Sequence, residues 1–304
     1  SGNFTGLAST SYTINLTSPQ GYPTVRYFST SDASATWSLN PGTTGATLSV
    51  TGATTRAVSI PVGATGTATL TSDAYTITFS VQANRLPSSS LKRGDTFYAS
   101  GFDWRILYKA SNSDVLVIAE HIIDAQAINA TSTYWDTDIR WDGSALRASL
   151  NGSTYAYSYN NLTDINTKIL DTTIYTRIGW EDTRTAPYKT GGASDSGHNG
   201  YQELTNQKLF LLSEEEVFRA IANGSNTTNA ASMDLTQNLY GSSVVLFADN
   251  NARKTSGAAT WYWLRSPRSH TPWAAYVNAS TGMVNGNYVY DAYGVRPAFR
   301  MNLS

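Results

Sequence analysis

The sequence predicts an all-β sandwich over residues 1–88, followed by an α+β domain over residues 89–304. Three observations carry this reading: a jump in charge near residue 90, short alternating runs before it, and strands mixed with helical stretches after it. Residues 1–90 hold five charged side chains: Arg26, Asp32, Arg56, Asp73 and Arg85. The first lysine is Lys92 and the first glutamate is Glu120, so the two parts differ in composition and not only in pattern.

The early part is rich in Thr, Ser, Ala and Gly. Its runs TSYTINLT, TVRYFST, TWSLN, ATLSVT, RAVSIPV, GTATLTS and AYTITFSVQAN alternate apolar with hydroxyl-bearing residues. Such alternation turns one set of side chains to a core and the other to water. Turn signals, as at Pro41-Gly42 and Thr51-Gly52, separate the runs. Seven short strands at this spacing predict a sandwich, with Trp37, Leu39, Leu48, Val50, Ile60, Leu70, Ile77 and Phe79 as its core. This resembles bacterial immunoglobulin-like modules, which usually act as spacers on surface or virion proteins. Leu86 to Asp95, LPSSSLKRGD, reads as the linker.

Beyond Lys92, FDWRILYK and DVLVIAEHII read as two strands paired across Ala110 to Ser113. DGSALRASLNG reads as a short helix ended by Asn151-Gly152. LTDINTKIL places Ile165, Ile169 and Leu170 on one side of a further helix. In KLFLLSEEEVFRAIANG a buried strand, Leu209 to Leu212, meets Ser213. That serine caps a helix while Glu216 reaches back, a capping box. Val217, Phe218 and Ile221 then form an apolar stripe that Gly224 ends.

The order of FDWRIL, VLVIAEHII, GSALRASLNG, INTKIL, KLFLLSEEEVF, WYWLRSP, AAYVNASTGMV and GVRPAFRMNL resembles a family of C-type-lectin-like domains common in gut bacteria and their phages. The most specific parts are Trp263-Leu264-Arg265-Ser266-Pro267 and Gly294-Val295-Arg296-Pro297. The resemblance covers roughly residues 92–303, and it implies a C-type-lectin-like fold for the second domain. That fold is used for ligand display, including the variable proteins of diversity-generating retroelements. It is also used by formylglycine-generating enzymes, whose chemistry relies on cysteines that this chain lacks.

Composition removes several other functions. The formal net charge is −1 and 14 % of residues are charged, which is no footprint for nucleic acid. The absence of cysteine excludes disulfides, cysteine zinc sites and thiol catalysis. No apolar run of about 18 residues predicts a membrane-spanning helix, and direct membrane insertion is not expected. His121, His198 and His270 are scattered without metal-ligand spacing. DTDIRWDG, Asp136 to Gly143, places Arg140 at a would-be calcium-ligand position. Glu214 and Glu215 suit a helix N-terminus better than hydrolysis. The expectation is no catalytic residue, no metal and no cofactor.

What remains is the C-terminal segment. AAYVN and GMVNG flank ASTG as a hairpin with Gly282 at its turn and Val277 and Val284 facing the core. Val295, Pro297 and Phe299 read as scaffold. Arg265 and Arg296 read as structural, bonding carbonyls or a carboxylate. Arg268, His270, Trp273, Asn278, Asn285, Asn287, Tyr288, Tyr290, Asp291 and Tyr293 fall in turns or on outward positions and are the expected ligand-binding set. Tyrosine and tryptophan offer large contact area at low rotamer cost, and Asn and His add adaptable hydrogen bonds. Together with the resemblance, this predicts a non-enzymatic recognition protein, extracellular on a bacterial surface or phage virion, that displays a retroelement-diversified binding surface in its C-terminal segment. Its expected partner is a protein or glycan ligand on a cell surface. The alternative is a fixed-specificity carbohydrate or cell-wall binding module that stacks sugar rings on Trp273 and the tyrosines.

Overall fold

The computed structural model describes residues 2–3, 11–30, 32–73, 75–130, 141–177, 201–218, 246–247, 250–267 and 273–304. Contacts divide the chain into two units, Ser1–His121 with Leu303–Ser304, and Ile122–Asn302. The compositional boundary at 88/89 marks a change of side chains. The contact boundary falls between His121 and Ile122.

The first unit contains β1 (Gly2–Asn3), β2 (Ser11–Thr17), β3 (Thr24–Ser29), β4 (Trp37–Asn40), β5 (Thr47–Val50), β6 (Thr55–Ile60), β7 (Gly66–Ser72) and β8 (Tyr75–Gln82), then β9 (Thr96–Ala99), β10 (Phe102–Ser111) and β11 (Asp114–Ala119). The first eight form two four-stranded sheets, ordered β1-β3-β6-β5 and β2-β8-β7-β4. Leu16, Phe28, Val58, Ile60, Leu70, Ile77, Phe79 and Val81 fill their common core. Trp37, Leu39 and Leu48 pack partly against it. Val50, expected in the core, is 74 % exposed, because it ends the edge strand β5. The β10–β11 hairpin turns at Asn112-Ser113, with Ser111 opposite Asp114.

The expected fold class does not hold. The described chain is nearly all β, with 47 % strand against 9 % helix, and so is not an immunoglobulin-like sandwich followed by an α+β C-type-lectin-like domain. Alternation locates strands but says nothing of their partners. β1 runs parallel to β3, and β2 runs parallel to β8 over its whole length. One helical reading fails for a different reason. Ile165, Ile169 and Leu170 suggested a helix, yet only Asn166–Lys168 forms a single 3-10 turn. Ile169 bridges to Met301, and the Leu170 N–H donates to the Arg300 carbonyl at 2.8 Å. Pairing with a strand overrides helical spacing in a stretch that carries Thr163, Ile165, Thr167 and Ile169, all branched at Cβ.

Side chains tie β9–β11 to the strands before the predicted linker. Asp95 accepts from the Asn15 backbone N–H at 2.8 Å and from Asn15 Nδ2 at 3.1 Å. Thr96 Oγ1 accepts from the Thr17 N–H at 2.7 Å. Buried Glu120 receives Arg105 through two bonds of 2.6 and 2.8 Å, and it also pairs with Arg26 of β3. Burial alone would raise the Glu120 carboxyl, but the Arg105 and Arg26 guanidiniums outweigh it and hold the group well below the usual range. Asp103, beside this cluster, accepts from the Gln20 N–H at 3.2 Å. Burial pushes its carboxyl up to about 7, the nearby Glu120 charge adds to this, and the Gln20 bond and Arg26 oppose it.

The second unit contains β12 (Asp124–Gln126), α1 (Ala145–Asn151), β13 (Thr172–Arg177), β14 (Tyr201–Gln207), α2 (Glu214–Phe218), α3 (Asn250–Arg253), β15 (Trp261–Pro267), β16 (Trp273–Asn278), β17 (Val284–Tyr288), β18 (Tyr293–Val295) and β19 (Ala298–Met301). Ser144 caps α1 by accepting from the Arg147 N–H, and Leu146 and Leu150 face inward. Asn151, at the end of α1, mimics a strand. Its Oδ1 accepts from the Lys208 and Leu209 N–H groups at 3.0 Å each, and its Nδ2 donates to the Leu209 carbonyl at 2.8 Å. β13 and β14 form a separate antiparallel ribbon. The main sheet is ordered β12-β18-β15-β16-β17.

Asp103 gives a pH signature of known sign. Folded, it holds its proton up to about pH 7; unfolded, it ionises near pH 4. Between those values the folded state binds more protons, so stability falls as pH rises, by up to about 4 kcal/mol. The thermal midpoint of the Asp103→Asn variant is expected to fall less than that of the parent chain between pH 5 and pH 8. Parallel midpoint-against-pH curves for the two proteins would contradict this assignment.

Candidate ligand-binding surface on the C-terminal sheet

Three devices fix the sheet that carries the predicted binding residues. The first is Arg265 in β15, wholly buried. Its Nη1 and Nη2 meet the Glu216 carboxylate at 2.7 and 2.6 Å. Nη1 also donates to the Leu211 carbonyl at 2.7 Å, and Nε and Nη2 donate to the Tyr175 carbonyl at 3.1 and 3.0 Å. Glu216 also completes the predicted capping box: its Oε2 accepts from the Ser213 N–H at 2.9 Å, and Ser213 Oγ accepts from the Glu216 N–H. Glu214 and Glu215 stand in the first turn of α2, as expected, and are buried; the Glu214 N–H donates to Ser266 Oγ, which donates to Glu215. Ile221 and Gly224 of the predicted helix lie outside the described residues.

The second device is glycine. β18 runs parallel to β15, with Gly294 opposite Tyr262. A Cβ on Gly294 would stand 2.5 Å from the Trp261 carbonyl oxygen. Gly282 turns the β16–β17 hairpin at φ +73, and a Cβ there would meet the Asn250 carbonyl oxygen at 1.7 Å. The third device is Arg296, buried over the Tyr262 ring at 5.1 Å and bonded to the Tyr262 hydroxyl at 3.3 Å. Val277, Val284, Val295 and Phe299 are buried, as expected of scaffold.

Register then sorts the predicted binding residues. β16 pairs with β17 as Trp273 with Tyr288, Ala274 with Asn287, Ala275 with Gly286, Tyr276 with Asn285 and Val277 with Val284. Successive side chains alternate between faces. Trp273 and Tyr288 therefore share the face of Val277 and Val284, beyond the end of its buried part. Asn285 and Asn287 share the opposite face with Tyr276. The single surface expected from sequence is two surfaces.

On the first, the Trp273 and Tyr288 rings meet edge to face at 5.4 Å, and Tyr290 stacks on Tyr288 at 4.9 Å. Val289 between the tyrosines is fully buried, and its carbonyl accepts from the Asn129 N–H at 3.1 Å. The turn closes with the Asp291 N–H on the Tyr288 carbonyl at 3.0 Å. Tyr288 is 36 % and Tyr290 43 % exposed. Local desolvation, then Tyr288 and Asp291, push the Tyr290 phenol up, so it remains a neutral hydroxyl at physiological pH.

On the second, Tyr293 stacks on Trp263 at 4.6 Å and on Trp261 at 5.1 Å, and Tyr276 meets it edge-on at 5.0 Å. Asn287 Nδ2 donates to Asp291 Oδ2 at 2.9 Å and to the Tyr293 hydroxyl. Tyr293 and Asn287 are thus half-buried parts of a packed group. Asn285 is exposed on the same face.

Asn278 has a different job. Its Oδ1 accepts from the Ser280 N–H, the Ser280 hydroxyl and the Thr281 N–H at 3.0, 2.8 and 3.0 Å, which shapes the hairpin turn. Arg268 and His270 lie outside the described residues, as do His198 and Asp136 to Arg140. His121 is buried beside the Tyr22 ring. Among the described residues no group of three or more His, Asp or Glu stands where it could hold a metal ion. The residues that sequence reading left out are Trp261 and Tyr276. The signal was available: Trp261 and Trp263 stand two apart in one strand, and therefore on one face.

A family described as a domain of unknown function, DUF6273, matches residues 112–303, the stretch that contains both arginine motifs and the whole main sheet. No curated protein and no solved structure matches the chain.

Two substitutions test this division of labour. Glu216→Gln leaves Arg265 buried without its counter-charge and is expected to cost about 3–5 kcal/mol in urea unfolding. A loss below about 1 kcal/mol would show that the pair is not needed. Asn278→Ala is expected to cost about 1 kcal/mol in the same measurement, as loss of a local cap does.

Proposed function

The chain belongs to the DUF6273 family, and from the geometry of its C-terminal sheet we propose that it is a non-enzymatic recognition protein for a ligand on a cell surface. The observation that carries this reading is the Trp273–Tyr288–Tyr290 group. Two tyrosines flank a wholly buried valine, and their rings stay open to water while stacked on one another. An aromatic group held in one arrangement loses little freedom on binding. Trp and Tyr are the side chains that most often dominate binding energy. The phenol hydroxyls keep a polar tip toward solvent, which suits an interface that must be soluble when empty. An extracellular position, on a bacterial surface or a virion, belongs to the same proposal.

Flow cytometry of labelled full-length chain on a panel of intact bacterial cells tests it. The chain is expected to bind some of the panel, and Tyr288→Ala with Tyr290→Ala is expected to weaken that binding by about tenfold or more. Because both rings are exposed, the pair of changes is expected to alter stability by less than about 1 kcal/mol. Undiminished binding by the double variant at unchanged stability would contradict the proposal.

A further inference from the structure

The Asn285–Gly286 step in β17 has no part in the recognition reading, and it brings two groups together that can react. The Gly286 N–H donates to Oδ1 of Asn285, the residue before it, at 2.9 Å. That bond sets the Gly286 peptide nitrogen beside Asn285 Cγ, the carbon from which a side-chain amide can be displaced. Groups held in contact within one molecule react far faster than the same groups apart.

Register explains why this nitrogen is not used by the sheet. The Asn278 N–H donates to the Met283 carbonyl at 2.8 Å. In an antiparallel pair such bonds recur at every second pair of residues. Tyr276 stands opposite Asn285 and Ala275 opposite Gly286. Tyr276 and Asn285 therefore exchange ladder bonds, and the Gly286 N–H points away from β16. β17 is the last strand of its sheet, so among the described residues no strand lies on that side to take the N–H. Asn285 is exposed, and Gly286 has no side chain to shield its nitrogen. Closing a ring through that nitrogen requires the extended backbone to rotate. A terminal strand with a glycine in it permits this at lower cost than an inner strand does.

Asn151–Gly152 has the same two residues and the opposite setting. Asn151 Oδ1 accepts from the Lys208 and Leu209 N–H groups, and its Nδ2 donates to the Arg147 and Leu209 carbonyls. The Gly152 N–H is turned to the Ser149 carbonyl at 3.3 Å. Here the amide is clamped from both ends and the following nitrogen is engaged elsewhere.

We infer that Asn285–Gly286 is a site of spontaneous modification, at which Asn285 loses its side-chain amide through a cyclic imide. Solvent base removes the Gly286 N–H proton, and the nitrogen attacks Asn285 Cγ. A bond forms between them, the Cγ–Nδ2 bond breaks, and Nδ2 leaves as ammonia after taking a proton from water. Water then adds to one of the two ring carbonyls. Opening at one gives aspartate; opening at the other gives isoaspartate, whose main chain runs through Cβ and Cγ. No oxidant or reductant is involved. Aspartate adds a negative charge to the face of Tyr276 and Asn287. Isoaspartate lengthens β17 by one main-chain atom and so disturbs its pairing with Trp273 to Ala275. This inference goes beyond the recognition reading and does not rest on it.

The test keeps the full chain folded in buffer beside the same chain unfolded in urea. Peptides from both are followed by mass spectrometry, with fragmentation that separates isoaspartate from aspartate. In the folded chain Asn285 is expected to convert within about tenfold of its rate in urea, and Asn151 at least about tenfold more slowly than Asn285. Both products are expected at position 285, forming faster at mildly alkaline than at mildly acidic pH. Gly286→Ala shields the nitrogen at a glycine whose φ is not positive, and it is expected to slow conversion by about tenfold. The folded-against-urea comparison needs no variant, so it decides the matter even if Gly286→Ala fails to fold. An Asn285 that stays intact in the folded chain while converting in urea would overturn the inference. So would equal rates at Asn285 and Asn151 in the folded chain, or aspartate formed without isoaspartate.

Discussion

The ion pair between Arg265 and Glu216 is the constraint on which the rest of the C-terminal sheet depends. Both groups are removed from water, so each would be costly alone. The cost is offset only because every nitrogen of the guanidinium is used: two on the carboxylate, and the set together on the Leu211 and Tyr175 carbonyls. The same carboxylate caps α2 through the Ser213 N–H. One acidic side chain therefore fixes where a helix begins and where β15 lies relative to it. A lysine at position 265 has no fork with which to reach three partners at once.

Once β15 is fixed, its neighbours have little choice. Gly294 lets β18 approach to a distance that any side chain would forbid, and Gly282 lets the β16–β17 hairpin turn against Asn250. A one-residue slip would exchange every side chain between faces. Val277 and Val284 would then leave the core, and Trp263 would lose its buried bond to Gln126. The positions of Trp261, Tyr293, Tyr288 and Tyr290 thus follow from the buried residues beneath them. This separation suits a recognition surface, since exposed rings are then free to vary in identity without disturbing the fold that presents them.

Sequence reading found the local devices and missed the pairings. The capping box, the Gly282 hairpin, the Asn151-Gly152 helix end, and the burial of Val295 and Phe299 were legible because each is a short pattern with one physical meaning. The partner of each strand was not legible, because parallel pairs such as β2 with β8 join residues more than sixty apart and leave no mark on either strand. The overall class was therefore misread, and so was LTDINTKIL, where strand capture outweighed helical spacing. The predicted binding residues fared in the same way. Tyr288, Tyr290 and Asn285 do lie at the surface, Asn287 and Tyr293 are half-buried, and assigning Tyr288 and Asn287 to opposite faces required the register. Glu214 and Glu215 were legible as helix-start residues, but their burial was not, since nothing in SEEEVF shows that Ser266 bonds to them.

Covalent footprinting of the full chain, free and bound to intact cells, addresses the central proposal most directly. Tyrosine and tryptophan oxidation would be read residue by residue by mass spectrometry. If the C-terminal sheet is the recognition surface, Tyr288, Tyr290 and Trp261 label readily in the free chain and become protected on cells, while exposed Tyr22 in the first unit labels equally in both states. Protection of Tyr22 with undiminished labelling of Tyr288, Tyr290 and Trp261 would place recognition elsewhere on the chain.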